Sequence, residues 1–372
     1  MTKLKCFKAI ALFFATLQLL STHAADEPKV NDNSEPYIVT YRWGVSGAVK
    51  GLYDAYGDWI GCQSVWAEDF MPNEGWNKIE GEEWQLATWR DWNKKYPGRR
   101  LILSVPILPG GWDRNGPSIG PGVDTPVSLE EGGAGAYNEY FVKLAENLVA
   151  YGLGDTIVRP GWEFNGGWYA WRADNKELAP HFAAYFREIV KSMRSVPGAG
   201  GLKFLWNPAM EPWWPYDPAL AWPGDDFVDY VGVDVYDQSW AKDTYPFPEG
   251  ASPDEIERRQ RKVWDEVKNN VHAYGLPYWV KFAKERNKPL TIPEWGVCAR
   301  KDGHGGDDNP FFIRKMHEFI SNPDNNVAFQ CYFDVDAHDG AHQLCPDPTG
   351  KTETKFPKSS AAFLELFSKA SE

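Results

Sequence analysis

Eight short runs of apolar and β-branched residues recur along this chain, and their alternation with amphipathic stretches constrains the fold more than any other feature. Such an alternation is typical of a parallel sheet whose strands are joined by crossover helices. The runs are Tyr37 to Tyr41, a weak one near Ile60 to Val65, Leu101 to Val105, Thr156 to Arg159, Leu202 to Trp206, Tyr230 to Val233, Leu290 to Ile292 and Val327 to Tyr332. Helical patterns between them include Tyr137 to Tyr151, His181 to Arg194, Pro253 to His272 and Pro310 to Ser321.

Eight strands with intervening helices predict an α/β protein of the (β/α)8 TIM barrel class, although counting strands leaves open a doubly wound open sheet. The first strand is not followed by a glycine-rich phosphate loop, which argues against an open nucleotide-binding sheet. Without a low-complexity linker or internal repeat, we expect a single barrel domain over residues 36–372, preceded by a flexible polar leader over residues 25–35.

Polar and aromatic residues follow the later strands, at the end of a barrel where active sites form. The fourth run is followed by PGWEFNGGW, which contains Glu163, and the seventh by PEWG, which contains Glu294. Strands four and seven lie on roughly opposite sides of an eight-stranded mouth. The two glutamates are therefore expected to face each other across it.

A facing pair of carboxyl groups is what the hydrolysis of a glycosidic bond requires. One carboxyl must be protonated to donate to the leaving oxygen, and the other must be ionised to attack the sugar or to activate water. Trp162 and Phe164 flank Glu163 and favour its protonated form, so we assign it as the acid/base. Glu294 suits the nucleophile, with Tyr236 donating a hydrogen bond that orients it.

The string RPGWEFNGGW, starting at Arg159, and the string IPEWG, starting at Ile292, resemble glycoside hydrolase family 26, a family with many β-mannanases among the retaining barrel glycosidases. The similarity extends in order and spacing over most of residues 36–345. It implies that Glu163 is the acid/base, that Glu294 is the nucleophile, and that Tyr236 matches the tyrosine that hydrogen-bonds the nucleophile.

One residue departs from the family pattern, because the mannanases usually have His directly before the acid/base, whereas this chain has Trp162. A tryptophan can stack or donate one hydrogen bond, but it cannot accept or shuttle a proton. The mechanism is therefore better supported than the substrate. β-1,4-Mannan leads a set that includes β-1,4-glucan, mixed-linkage glucan and xylan, and sequence does not distinguish endo from exo action.

Aromatic residues make up 15% of the chain, with 19 tryptophans, and an indole offers a flat face that stacks on a sugar ring. The strongest candidates for sugar contacts are Trp168 and Trp295, beside the catalytic motifs. The other candidate tryptophans are Trp112, Trp162, Trp171, Trp213, Trp214 and Trp240. Asn207, Asp234 and Arg159 are expected to bond sugar hydroxyls or to orient the carboxylates.

The first 24 residues predict an export signal, because Lys3, Lys5 and Lys8 precede an apolar run that ends before the cleavage site Ser21 to Ala24. The expected location is therefore secreted or periplasmic. Loss of these three lysines changes the net charge from −13 to −16. A polyanionic partner would be repelled, so we expect a β-linked polysaccharide or oligosaccharide as the partner, no nucleic acid, no membrane, no cofactor and a monomer.

Four cysteines remain after such a cleavage, and an oxidising compartment permits two disulfides with three possible pairings. They are Cys62, Cys298, Cys331 and Cys345. Their spacing does not match a zinc site. Sequence does not choose among the three pairings.

Three rival interpretations remain open. The first is a metal site in the C-terminal loops, whose ligand-like residues are His304, Asp307, Asp308, Asp336, His338, Asp339 and His342, although their spacing matches no defined metal motif. The second is a carbohydrate-binding barrel without catalysis. A serine or cysteine hydrolase is disfavoured because the mature cysteines are expected to be structural.

Overall fold

The computed structural model describes residues 36–62, 66–96, 98–110, 126–210, 214, 216–346 and 353–368. The proposed signal and leader segments lie outside these residues. Eleven strands are found in the described part of the chain. They are β1 (Tyr37–Tyr41), β2 (Trp66–Phe70), β3 (Arg100–Val105), β4 (Ile157–Pro160), β5 (Lys203–Trp206), β6 (Tyr230–Gly232), β7 (Val235–Tyr236), β8 (Leu290–Gly296), β9 (Ala299–Arg300), β10 (Val327–Phe333) and β11 (Gly340–Ala341).

Helices alternate with these strands along the chain. They are α1 (Gly44–Val49), α2 (Leu52–Ile60), α3 (Trp76–Ile79), α4 (Glu83–Lys95), α5 (Leu129–Gly133), α6 (Asn138–Ala150), α7 (Ala179–Arg194), α8 (Pro253–Val263), α9 (Leu276–Glu285), α10 (Pro310–Ile320) and α11 (Pro357–Phe367). A π-helical turn, Trp264–Lys268, continues α8. Of the described helices, none is long and apolar enough to cross a membrane.

The strands form a closed parallel barrel in the order β1-β2-β3-β4-β5-β6-β8-β10, with β10 pairing back to β1. The short β7 extends β6 along β8, so the two together form the sixth barrel strand. The predicted (β/α)8 class is therefore confirmed, and the open sheet is excluded. Closure leaves no exposed sheet edge among these eight strands.

The second strand is the one that sequence placed wrongly. Ile60 is the last residue of α2, and the strand begins six residues later at Trp66. The buried residues of α2 include Tyr53, Tyr56 and Ile60, whose spacing of three and four is that of a helix face packed on a core. A helical apolar face was thus mistaken for a strand.

Two buried layers hold the barrel together. The interior is filled by a cluster of side chains from β1 to β6 and β10, and these are Val39, Trp66, Ile102, Ile157, Leu205, Tyr230, Phe329 and Cys331. A larger layer lies between the strands and the surrounding helices and is rich in indole and phenyl rings. The carboxyl ends of the strands sit above the inner cluster and carry the polar residues described next.

Candidate active site

Glu163 and Glu294 both lie at the carboxyl-terminal mouth of the barrel. Glu163 is three residues beyond the end of β4, and Glu294 lies within β8, which is the seventh strand of the barrel. Strands four and seven are separated by two strands, β5 and the β6/β7 pair. The structure thus brings the two glutamates to the same rim from different strands.

Three groups hold the Glu294 carboxylate in place. Arg159 forms an ion pair with Oε1 at 2.7 Å, and the Tyr236 hydroxyl donates a hydrogen bond to Oε2 at 2.8 Å. The backbone N–H of Glu294 donates to Oδ1 of Asp234 at 3.1 Å. A carboxylate with a guanidinium on one oxygen and a hydroxyl on the other is fixed in orientation.

Arg159 is the centre of a buried charge cluster. Its guanidinium also pairs with Glu68, at 2.8 Å, and with Asp234, while its Nε donates to Oδ1 of Asn207 at 2.5 Å. Burial lowers the pKa of Arg159, but the carboxylates of Asp234, Glu294 and Glu68 outweigh this effect and raise it well above its ordinary value. The guanidinium therefore stays charged.

In this cluster a single cation, Arg159, faces three carboxyl groups. It cannot fully compensate the charge of all three. Burial, reinforced by the charge of Glu294 and opposed by Arg159, raises the pKa of Glu68 to about 7. Burial likewise raises the pKa of Asp234 well above its ordinary range, again against the pull of Arg159. Burial therefore outweighs the single guanidinium at both Glu68 and Asp234.

The Glu163 loop has an unusual backbone. Glu163 has φ +50°, in the left-handed region that non-glycine residues seldom occupy, and its N–H donates to the carbonyl of Asn207 at 2.8 Å. Such strain at a polar residue beside a cleft is common at functional sites. The Trp168 indole N–H donates to Oε2 of Glu163 at 2.9 Å, and its ring packs so closely on Gly166 that a Cβ there would lie 2.2 Å from the ring.

The charges of Glu163 and Glu294 both affect the pKa values of Tyr169 and Tyr236. Burial raises the pKa of Tyr169 well above its ordinary value, and the charges of Glu163 and Glu294 raise it further. Burial also raises the pKa of Tyr236 well above its ordinary value. The charges of Glu294, Asp234 and Glu163 raise it further. Both phenols therefore stay protonated, and both glutamates lie within electrostatic reach of one space at the mouth.

Aromatic rings that sequence did not single out line the mouth on the side of Glu294. The Tyr41 ring stacks on Phe333 with centroids 4.9 Å apart and meets Phe70 edge-on at 4.9 Å. The Phe333 ring in turn meets Tyr236 edge-on at 5.9 Å. Each of these four residues keeps part of its surface exposed.

Two predicted sugar platforms were wrong. Trp295 is fully buried and donates its indole N–H to Gln330 at 2.5 Å, and Trp171 is fully buried and donates to the carbonyl of Trp162. Neither indole has an open face to stack on a sugar. Trp214, also buried, packs against Trp279 in the outer core.

Other predicted contacts have mixed outcomes. Trp162 is almost fully buried and donates to the hydroxyl of Tyr169 at 2.8 Å, so it has no free face either. Trp168 and Trp240 keep exposed surface, and Trp240 stacks on His304 at 5.3 Å. Trp112 and Trp213 lie outside the described residues.

The predicted polar contacts Arg159, Asn207 and Asp234 are buried and bonded to one another. These residues were expected either to bond sugar hydroxyls or to orient the carboxylates. The first role was wrong, because their polar atoms point into the protein. They orient Glu294 and its surroundings instead.

Glu68 is the main residue of the site that sequence reasoning missed. It was missed because the second strand was placed six residues too early, which took the acidic pair Glu68 and Asp69 off the end of a barrel strand. A signal was present, since two acids inside an aromatic run, WAEDF, are unusual for a strand buried on both faces.

The remaining predicted groups take structural positions. Cys298 and Cys331 are buried free thiols, so the four cysteines do not form the two disulfides that their number permits. Burial lowers the pKa of His342, whose Nδ1 bonds the carbonyl of Val297 at 2.8 Å. Asp308 accepts hydrogen bonds at the start of α11. Within the described part of the chain, no group of three or more His, Cys, Asp or Glu is placed to hold a metal.

Comparison with known proteins agrees with this geometry. The sequence model of glycosyl hydrolase family 26 matches residues 137–249, which include the Glu163 loop and Tyr236. A search of curated proteins found no match.

Solved structures share the fold at low identity. An endo-β-1,4-mannanase catalytic domain from Bacillus sp. JAMB-750 has a TM-score of 0.59 and 16% identity, over 90% of this chain and 86% of that one. A β-mannanase from Bacteroides ovatus has a TM-score of 0.53 and 13% identity, over 90% and 88%. A modular endo-β-1,4-mannanase from Cellulomonas fimi has a TM-score of 0.54 and 18% identity, over 90% and 70%.

The resemblance to family 26 is confirmed over residues 137–249, which contain the Glu163 motif but not the Glu294 motif. The solved structures share the barrel fold, and together these findings support a glycoside hydrolase.

Proposed function

We propose that this protein is a retaining β-glycoside hydrolase that cleaves β-1,4-mannan by double displacement, with Glu294 as nucleophile and Glu163 as acid/base. The observation that carries the proposal is the different environment of the two carboxyl groups. Glu294 is held by Arg159 and Tyr236, whereas Glu163 sits on a strained loop and accepts a hydrogen bond from the Trp168 indole. Two carboxyls with different surroundings suit two different roles.

In the first step, Glu163 donates its proton to the glycosidic oxygen while an oxygen of Glu294 attacks the anomeric carbon. A covalent glycosyl ester forms on Glu294, and the leaving sugar departs with the proton. In the second step, Glu163, now ionised, takes a proton from water as that water attacks the same carbon and frees Glu294. The buried Arg159 and the hydroxyl of Tyr236 keep the Glu294 carboxylate oriented for attack.

Mannan is the proposed substrate because the structural neighbours are named as mannanases. Trp162 stands where mannanases of the family usually have His, and its indole N–H already bonds Tyr169. The contact made at that position in mannanases therefore differs here. β-1,4-Glucan, mixed-linkage glucan and xylan stay as alternative substrates.

The test is hydrolysis of soluble β-mannan, glucomannan, xylan, mixed-linkage glucan and carboxymethyl cellulose, followed by release of reducing ends. We expect turnover of mannan, no turnover by Glu294→Ala, and a first-formed product that keeps the β configuration by NMR. Inverted product would exclude the proposed nucleophile role. Sugar binding without turnover of any polymer would favour a binding protein.

The two glutamates are distinguished with an aryl glycoside whose leaving group needs no proton. Glu163→Ala should still form the covalent intermediate on this substrate and be reactivated by azide as a β-glycosyl azide. Glu294→Ala should be inactive without azide and give the α-glycosyl azide with it. The same azide product from both variants would contradict the assignment.

We also propose export to the periplasm or beyond the cell, and a monomer in solution. Support comes from the basic and apolar character of residues 1–20 and the small residues up to Ala24. N-terminal sequencing of the mature protein, with Ala25 expected first, tests the cleavage.

A further inference from the structure

Trp43 is an exposed indole at the mouth of the barrel that neither the motifs nor the proposed mechanism uses. It follows β1 by two residues, at the carboxyl end of the strand, and 48% of its surface is exposed. Arg42, directly before it, is buried and forms an ion pair with Asp334 at 2.9 Å. The backbone that presents the indole is therefore anchored.

The backbone at Trp43 is strained. Its φ is +61°, and the following Gly44 has φ +53°. Glycine is needed at position 44, because a Cβ there would lie 1.9 Å from Oδ1 of Asp69, which Gln85 and Trp89 hold in place. The fold thus imposes a left-handed backbone at this turn.

Glycine or asparagine would meet that backbone with less strain than tryptophan. An exposed indole also leaves apolar surface in water. Neither feature stabilises the fold, so the presence of Trp43 calls for a role outside the fold itself. Strain at an exposed residue beside a cleft is the pattern found at binding positions.

Trp43 is continuous with the site of Glu294. Only Arg42 separates it from Tyr41, so the Cα atoms of Trp43 and Tyr41 are at most about 7 Å apart. The Tyr41 ring stacks on Phe333, which meets Tyr236, and the Tyr236 hydroxyl bonds Glu294. A line of aromatic rings therefore runs from the nucleophile to the strand that presents Trp43.

The position of β1 in the barrel indicates which part of a glycan would reach Trp43. One strand, β10, lies between β1 and the Glu294 strand β8, whereas two strands lie between β1 and the Glu163 strand β4. The sugar above the nucleophile is the glycone, and the leaving group lies toward the acid/base. A site beyond Glu294 on the β1 side therefore receives further units of the glycone.

We propose that Trp43 stacks on a sugar ring of the glycone, one or more units beyond the cleavage point, so that the enzyme acts on stretches of several units. This inference rests on the proposed function. The occupant is a neutral β-linked sugar chain, because an open indole with an adjoining aromatic line presents flat apolar faces to the pyranose C–H face.

The experiment compares wild type with Trp43→Gly on β-1,4-linked manno-oligosaccharides of two to six units, or on those of the polymer hydrolysed best. Glycine accepts φ +61°, so the variant should fold at least as stably, which thermal unfolding checks. We expect kcat/KM to rise with length in wild type. In the variant, kcat/KM should fall roughly tenfold on the longest substrates and stay unchanged on the shortest. A tenfold fall corresponds to the loss of one aromatic contact.

Tyr37→Ala is the matched control, because Tyr37 is an exposed aromatic residue at the opposite end of the same strand, stacked on Trp66. In Tyr37→Ala, kcat/KM should depend on oligosaccharide length as it does in wild type. Equal activity of Trp43→Gly and wild type at every length overturns the inference, as does an equal loss at every length. A change confined to sedimentation would assign Trp43 to a contact between copies of the chain. Wild-type inactivity on all substrates would instead contradict the proposed function.

Discussion

Tyr236 shows how much one hydroxyl contributes to the site. Its bond to Oε2 of Glu294, together with Arg159 on Oε1, leaves the carboxylate little freedom to rotate. The phenol stays protonated because burial and the charge of Glu294 raise its pKa. It is therefore a permanent donor to Glu294 across the working pH range.

Replacing this hydroxyl is expected to affect the chemical step more than binding. Tyr236→Phe should lower kcat by roughly 10- to 100-fold, the equivalent of one hydrogen bond to a charged group, with little change in KM. Steady-state kinetics on the best polymer measures this. Tyr245→Phe, which removes a buried hydroxyl bonded to Asp237 at 2.9 Å, should leave kcat nearly unchanged. Similar effects in both variants would indicate general loosening of the fold.

The residues of the site were unequally predictable. Glu163, Glu294 and Tyr236 follow from local patterns, because each lies near the end of an apolar run. The role of Arg159 needed the structure, since its partners Glu68, Asp234 and Glu294 come from three other strands. A chain read in one dimension does not show that four charged side chains converge.

At the scale of elements, two helix starts support the mouth differently. Ser252 accepts from the N–H of Glu255 at the start of α8, with Pro253 as the first helical residue. Asn309 caps α10 and also donates its amide to Oδ2 of the buried Asp237 at 2.7 Å. One cap serves its helix alone, whereas the other also ties a helix to the loop after β7.

The two caps should therefore differ in their contribution to stability. Ser252→Ala is expected to lower the free energy of unfolding by about 1 kcal/mol. Asn309→Ala should lower it by about 2–3 kcal/mol, because it also removes a donor from the buried Asp237 carboxyl. Urea unfolding measures both. Equal losses would mean that the Asn309–Asp237 bond adds nothing to the cap.

Strands and helices with a clear apolar period were predictable from sequence. The second strand, whose apolar signal is weak, was not. The strands rich in Val, Ile and Leu, such as β3, begin within one residue of expectation. The strand β2 is WAEDF. Glu68 pairs with Arg159 inside the barrel, whereas Asp69 accepts from Gln85 and Trp89 of α4, and the two acids hide the apolar signal. Tertiary pairing thus overrode local propensity at the strand that carries Glu68.

At the scale of the whole molecule, several buried carboxyl groups retain protons near neutral pH. Burial raises the pKa of Glu68 to about 7 and those of Asp69 and Asp237 to about 6. In the unfolded chain these groups titrate near 4. Between pH 5 and 7 the folded protein therefore binds more protons than the unfolded chain, and its stability falls as the pH rises.

Glu68→Gln isolates one part of this dependence. The wild type should lose on the order of 2 kcal/mol more stability than the variant between pH 5 and 7, because only the wild type must give up the Glu68 proton. The amide still offers an oxygen to Arg159. Calorimetric unfolding at pH 5, 6 and 7 measures the difference. Parallel pH profiles would place the titration elsewhere.

The sequence by itself determined the barrel and the position of Glu163 and Glu294 near the ends of strands, because the period of apolar residues and the polar ends of strands are local properties. Only the tertiary structure decided which indoles are open. Trp295 and Trp43 both lie at the end of a strand, yet α10 and α11 cover the first with Phe312 and Phe363, while the second faces solvent. Burial depends on what the distant parts of the chain place against a residue, and that is not encoded at the residue itself.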